Sequence, residues 1–186
     1  MSENPTTFHF IVSTPFGEAA IIFRQKPFLI IEILLPRSSQ KKLKAAFKCG
    51  NRGKPGSHHK AIKLAKSIEG YFKGTIDPTS WPPWEWMDLN GLTVLQQSVL
   101  LATAAIPFGK VSTYKKIAEA IDRPRACRFV GTTLAKNPYP ILIPCHRVIR
   151  SDSSVGQFGG GPDLKRKLIA REAKFAAVNS SETLEI

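Results

Sequence analysis

The apolar residues of this chain change their period once, and that change restricts the fold more than any single motif. From Thr7 to Leu35, Phe8, Phe10 and Val12 alternate with other residues, Thr14-Pro15-Phe16-Gly17 supplies a turn, and the apolar runs Ala20 to Phe23 and Phe28 to Leu35 follow. This is the signature of strands, and an antiparallel three-stranded meander is its simplest realisation. From Thr93 onward apolar residues recur three and four apart, as on helices. Between the two patterns, Asp77 to Trp86 is dense in Pro and Trp and precedes Asn90-Gly91, which marks a domain boundary. Its tryptophans read as apolar mass joining domains. The expected organisation is α+β: a scaffold domain at 1–89, a second domain at 90–178 and a polar, frayed tail at 179–186.

After the meander come a basic segment, Arg37 to Lys54, and a helix opened by Ser57 that carries Ile62, Ala65, Ile68 and Phe72 on one face to cover the sheet. In the second domain the spacing predicts a helix over Thr93 to Ala105, a break at Pro107-Phe108-Gly109, and a helix capped by Ser112 with Tyr114, Ile117, Ala118 and Ile121 in register. Asp122-Arg123-Pro124 forms a turn, with Pro124 in the first turn of the next helix. That helix runs to about Lys136, burying Ala126, Phe129, Val130 and Leu134 and turning Arg125, Arg128, Thr132 and Lys136 outward. Two helices joined by a turn, the second with a basic outer face, have the shape of a helix-turn-helix; a solvated basic helix is the alternative. Asn137-Pro138-Tyr139-Pro140 ends the helix. A buried Ile141-Leu142-Ile143, the segment Pro144-Cys145-His146-Arg147-Val148, a glycine-rich loop from Gly156 to Gly161 and a last helix from Pro162 to Ala176 complete the chain.

Charge narrows the partner. The 186 residues hold 27 Lys+Arg against 14 Asp+Glu, a formal +13. The excess is global: residues 1–89 carry 13 basic and 7 acidic groups, a net +6, and residues 90–186 carry 14 and 7, a net +7. A polyanion is expected, nucleic acid before an anionic membrane surface. No apolar run is long enough to span a membrane, and Met-Ser-Glu-Asn-Pro-Thr-Thr lacks the features of a secretory signal, so an intracellular location is expected. Cys49, Cys127 and Cys145 then read as free thiols, and with His9, His58, His59 and His146 they show no metal-ligand spacing.

Cys145 is placed for activation. The thiolate is the nucleophile, burial alone silences it, and a histidine able to accept the proton offsets that cost. Whether His146 reaches the sulfur directly or through a water is left open by their adjacency. On the last helix Leu164, Leu168 and Glu172 recur at four-residue spacing, with Phe175 continuing the stripe, so a carboxylate lies on a face that should be buried. It either orients His146 or pairs with a nearby Arg or Lys.

Pro-Ile-Leu-Ile-Pro-Cys-His-Arg-Val at 140–148 resembles the active-site signature of the O6-alkylguanine-DNA alkyltransferases. The resemblance extends from Leu92 to Phe175 through Phe108-Gly109, Thr113-Tyr114, Arg128 in Arg-Phe-Val-Gly, Asn137-Pro138, Phe158-Gly159-Gly160 and Glu172. It implies a ribonuclease H-like N-terminal domain and a winged helix-turn-helix-like C-terminal one. It implies single, self-inactivating transfer of an alkyl group from guanine O6 in flipped-out duplex DNA to Cys145, with no cofactor. His146 would take the thiol proton, Glu172 would support the imidazolium, Asn137 would hinge the recognition helix to the active-site turn, and Tyr114 would donate to the leaving guanine. Arg128 would fill the gap in the duplex. Lys115, Arg123, Arg125 and Ser151 would contact phosphates, and Val148, Phe158, Gly159, Gly160 and Tyr139 would shape the pocket. A monomer is implied, cytoplasmic in a prokaryote or nuclear in a eukaryote. Departures are Gly159 where many relatives have Ser, Leu95 where Phe is usual, and the absence of the zinc-binding Cys and His set and of the extra cysteine-rich domain that some relatives carry. The alternatives are a non-transferring lesion sensor or helix-turn-helix regulator, which would not need Cys145, and a Cys-His hydrolase, which leaves Arg128 and Tyr114 without a role.

Overall fold

A computed structural model describes residues 6–36, 53–75 and 84–182. The expectations for most of the basic segment after Leu35, for Cys49, and for Asp77 to Pro83 with Trp81 lie outside the described residues. The chain divides into two compact units, Met1–Asp88 and Leu89–Ile186.

In the first unit β1 (Thr7–Thr14) and β2 (Gly17–Gln25) form a hairpin in register from Thr7↔Arg24 to Thr14↔Gly17. The Thr14 hydroxyl closes its turn by accepting from Phe16 N–H (3.2 Å) and donating to Gly17 O (2.6 Å). β2 pairs antiparallel with β3 (Phe28–Leu34), and a bulge shifts the register between Ile22 and Phe23. Ala19 to Phe23 are all buried, so β2 is a central strand covered on both faces, where alternation disappears. The sheet has four strands, not three. Lys54–Pro55, β4, runs parallel to β1 at the edge, giving the order β3-β2-β1-β4. Two residues carry no period, and a proline suits an edge. A short 3-10 turn, Trp84–Trp86, leads to Met87, which bridges to Ile30, and Asp88 closes on Arg24 at 3.0 Å.

Helix α1 (His59–Lys73) packs on β1 and β2. Its N-cap is His58, whose ring nitrogen accepts from Lys60 N–H at 3.2 Å; the expected Ser57 lies one residue too early. Gly74 ends it with φ +81°, the left-handed cap for which glycine has no steric penalty. The buried face is Ala61, Leu64, Ala65, Ile68 and Phe72. Ile62 falls off that stripe, about 100° around the helix from Ala61, and is 38% exposed.

The second unit is mainly helical. Thr93 and Gln96 form a reciprocal capping box on α2 (Val94–Ala104). At Gly109 (φ +72°) a Cβ would lie 2.6 Å from the Ala176 side chain, so the break after α2 needs glycine. Ser112 does not cap the next helix. It belongs to β5 (Ser112–Thr113), and Thr113 caps α3 (Tyr114–Ala120) by accepting from Lys116 N–H at 3.2 Å. α4 is Cys127–Ala135, so Pro124 stands in the preceding turn instead of the helix. Val130, Thr133 and Leu134 are buried there, whereas Ala126 and Phe129 are only half-buried. β6 (Val148–Ile149) pairs parallel with β5. The last helix, α5, spans Pro162–Glu182, beyond the expected end at Ala176 and into the segment expected as a frayed tail.

Candidate active site

α4 ends at Ala135, and the side chain of Asn137 builds the turn that follows. Its Oδ1 accepts from Tyr139 N–H (3.0 Å) and its Nδ2 donates to Ile143 O (2.9 Å). The backbone adds Ile143 N–H to Tyr139 O and Cys145 N–H to Ile143 O, both 2.8 Å. Ile141 is thereby held at φ +76°. A β-branched residue in that region costs about 1–3 kcal/mol, and complete burial of Ile141, Leu142 and Ile143 keeps it there. Cys145 to Arg147 follow as a 3-10 turn.

Cys145 is 7% exposed and opens into a cavity of about 560 Å³ whose walls include Tyr114, Arg128, Arg150, Gly156 and Phe158. Burial pushes the thiol's pKa up. A hydrogen bond from Asn137, the charge of Lys165 and the N–H groups of Cys145 and His146 act against it. His146 is fully buried, with Nε2 2.7 Å from Glu172 Oε1 and its ring edge-on to Phe158. Burial lowers its pKa although Glu172 pulls the other way, so the resting imidazole is neutral.

Glu172 settles both possibilities raised by its spacing, since it pairs with the histidine and with an arginine. Arg147 Nε donates to Oε2 (2.8 Å), Arg147 Nη2 to Oε1 (3.1 Å) and Gly109 N–H to Oε2 (3.2 Å). Burial disfavours the carboxylate, but hydrogen bonds and charge from His146 and Arg147 prevail and bring Glu172 down to about 2. Arg147 also donates to Ile106 O (2.7 Å) and stacks over Phe108. A neutral imidazole thus backs onto a buried, compensated ion pair.

Of the other expected residues, Tyr114 lines the cavity and burial raises its pKa, so the phenol stays a donor. A Cβ at Gly156 (φ +65°) would lie 3.2 Å from its hydroxyl. Arg128 projects from the exposed side of α4 at the cavity wall. The pocket set divides: Phe158 lines the cavity, whereas Tyr139 and Val148 are buried outside its lining, and Gly159 and Gly160 lie beyond it. Arg123 and Arg125 line a second cavity of about 450 Å³ at the turn between α3 and α4. Lys115 is exposed on α3, 3.9 Å from Glu119, and Ser151 is exposed in the turn after Arg150.

Sequence reasoning missed three charged residues here: Arg147, Arg150 and Lys165. Lys165 is fully buried, its Nζ donating to Val148 O at 2.6 Å. Its signal was present, since it shares a helix face with Leu168 and Glu172, but the run Lys165-Arg166-Lys167 reads as solvated. Among the described residues no group of three or more His, Cys, Asp or Glu could hold a metal, and no helix is long and apolar enough to cross a membrane.

Residues 94–174 match the family model of the 6-O-methylguanine DNA methyltransferase DNA binding domain. A methylated-DNA–protein-cysteine methyltransferase of Mycobacterium leprae is 38% identical over 122 residues, 66% of this chain and 70% of the relative. Others so named, from Methanosarcina barkeri and Haemophilus influenzae, are 40% and 37% identical, the matches covering 66% and 59% of their lengths and 59% of this chain in each case. The match therefore spans less than two thirds of these two relatives. Among solved structures, the Mycobacterium tuberculosis O6-methylguanine methyltransferase superposes with a TM-score of 0.71 at 26% identity, covering 91% of this chain and 94% of that one. The same organism's protein in complex with DNA gives 0.71 at 27% identity, covering 90% and 94%.

Proposed function

This chain belongs to the methylated-DNA–protein-cysteine methyltransferase family, and on that premise we propose that it repairs O6-alkylguanine in duplex DNA by moving the alkyl group once to Cys145. The observation that carries the reading is a buried thiol opening into a cavity, with a neutral histidine beside it in sequence and that histidine already bonded to a charge-compensated carboxylate.

The chemistry follows from that order. Nε2 of His146 faces Glu172, so the thiol proton passes to Nδ1, through a bridging water. The imidazolium then meets a carboxylate that Arg147 already holds ionised. Sulfur attacks the alkyl carbon in line, the carbon–O6 bond breaks as the carbon–sulfur bond forms, and the guanine leaves with the electron pair. Tyr114 donates to the base as negative charge develops. The product is a thioether, which has no route back to thiol, so each molecule acts once.

Guanine O6 lies inside the stack, and reaching a cysteine on a rigid turn requires flipping the nucleotide, at a few kcal/mol. Arg128, on the open side of α4, occupies the gap, with the recognition helix in the minor groove. Lys115, Arg123, Arg125 and Ser151 hold phosphates, and the +13 charge supplies a grip indifferent to sequence and weakened by salt. On this reading the N-terminal sheet is ribonuclease H-like, α3 and α4 with β5 and β6 form a winged helix-turn-helix-like element, and a monomer acts on DNA in the cytoplasm or nucleus.

The test is incubation with duplex carrying radiolabelled O6-methylguanine. Label retained near one per molecule, and lost in Cys145→Ala, is expected. Repeated turnover, or retention indifferent to that substitution, overturns the proposal.

A further inference from the structure

Lys165 is a buried cation in search of an anion. It is 0% exposed, its Nζ donates to the neutral Val148 carbonyl, and no carboxylate of the described residues lies within ion-pair distance. An uncompensated ammonium is costly to bury. The Val148 carbonyl anchors it three residues beyond Cys145 in sequence, and the same Nζ lies 5.9 Å from the centroid of Tyr114, a wall of the cavity into which Cys145 opens. The groups facing this region are Cys145 and His146 from the 3-10 turn, Tyr114 from α3, Arg150 from the following turn, and the Arg147–Glu172 pair behind His146. Arg147 is committed to Glu172, and Arg150 is exposed to water. Cys145 is the acid left to oppose the ammonium.

We propose that Lys165 is the counter-ion of the Cys145 thiolate, a buried positioning charge behind Tyr114 and Val148 that makes ionisation of a buried sulfur possible. The inference rests on Cys145 as the alkyl acceptor. In the step it serves, the S–H bond breaks, the electron pair stays on sulfur and the proton goes to His146; Lys165 gives up none. Its burial draws its own pKa down to about 8 while the neighbouring thiolate acts to raise it, and its charge in turn acts to lower the thiol's. The two groups support each other's charged form.

The test reads the thiol without DNA. Alkylation of Cys145 by iodoacetamide is followed across pH, by mass spectrometry of its peptide, in the full chain and in Lys165→Met and Lys165→Arg. The methionine variant should move the midpoint upward by at least one unit and slow the reaction at pH 7 about tenfold; the arginine variant should recover most of the rate. A midpoint unmoved in folded Lys165→Met, or an arginine variant as slow as methionine, overturns the proposal and leaves Lys165 a support for the Val148 carbonyl. If Lys165→Met does not fold, the wild type decides: the NMR titration of the Lys165 Cε resonance should shift to lower pH once Cys145 is S-methylated, and an unmoved titration overturns the proposal equally. Wild-type protein that passes these tests but retains no label from lesion DNA fails the transfer reading alone.

Discussion

The two halves of this chain carry almost the same excess of positive charge, +6 and +7, and dispose of it differently. In the first unit the buried residues are apolar, Ser67 being the one buried polar residue among those described. The second buries His146, Arg147, Lys165 and Glu172. Apolar packing stabilises wherever it occurs, but burying ions gains little over apolar residues of the same size, and breaking one partner of such a group is costly. Four ionisable side chains are thus kept dry in the unit that carries Cys145. On the proposed function, the first unit is built for stability and the second for a reaction.

The sharpest way to break this contrast is Glu172→Leu, which strands Arg147 and His146 together. A loss of about 3–5 kcal/mol is expected, with alkyl transfer abolished, measured by urea unfolding and label retention. All three tryptophans precede Asp88, so their fluorescence reports the first unit while circular dichroism at helical wavelengths weights the second. A fluorescence transition displaced as far as the dichroism would show the units unfolding together and dissolve the distinction. Next in size is Ile68→Ala in the scaffold, with an expected loss of about 2–5 kcal/mol and unchanged label retained per folded molecule. Loss of transfer in a fully folded sample would give the first unit a part in the reaction.

Acid separates the units more gently. Glu172 sits at about 2, below the ordinary 4.5, so the stability it contributes is full above pH 4.5 and disappears as the pH falls toward 2. His146 is held below its ordinary 6.5, as is His58 in the first unit, so both units weaken as the pH falls below 6.5. Between 4.5 and 2 the dichroism transition should move further than the fluorescence; the reverse order would contradict the assignment. The smallest effect expected is from His58→Ala, roughly 1 kcal/mol for a lost cap, visible in fluorescence and absent from transfer.

Legibility in the sequence followed how local each signal was. Period two announced β1, apolar runs bounded by turns announced β2 and β3, helical spacing announced α1 to α4, and the Pro-Cys-His-Arg-Val segment announced the thiol. β4 escaped because two residues have no period. Helix starts slipped where neighbouring residues compete for one cap, His58 over Ser57 and Thr113 over Ser112. Val148 and Tyr139, which the resemblance implied in the pocket wall, are buried and lie outside the lining of the cavity, a matter of tertiary packing that no motif records.

The sequence by itself determined the main strands and helices and singled out Cys145 and His146 as candidates, because periodicity and a contiguous motif are properties of the chain. Only the tertiary structure decided that Glu172 serves His146 and Arg147 at once, and that Lys165, in a run that reads as solvated, is fully buried with its Nζ on the Val148 carbonyl. Those facts depend on α5 packing against the Cys145 turn. Charge compensation across such a contact acts through space, between residues the chain places far apart.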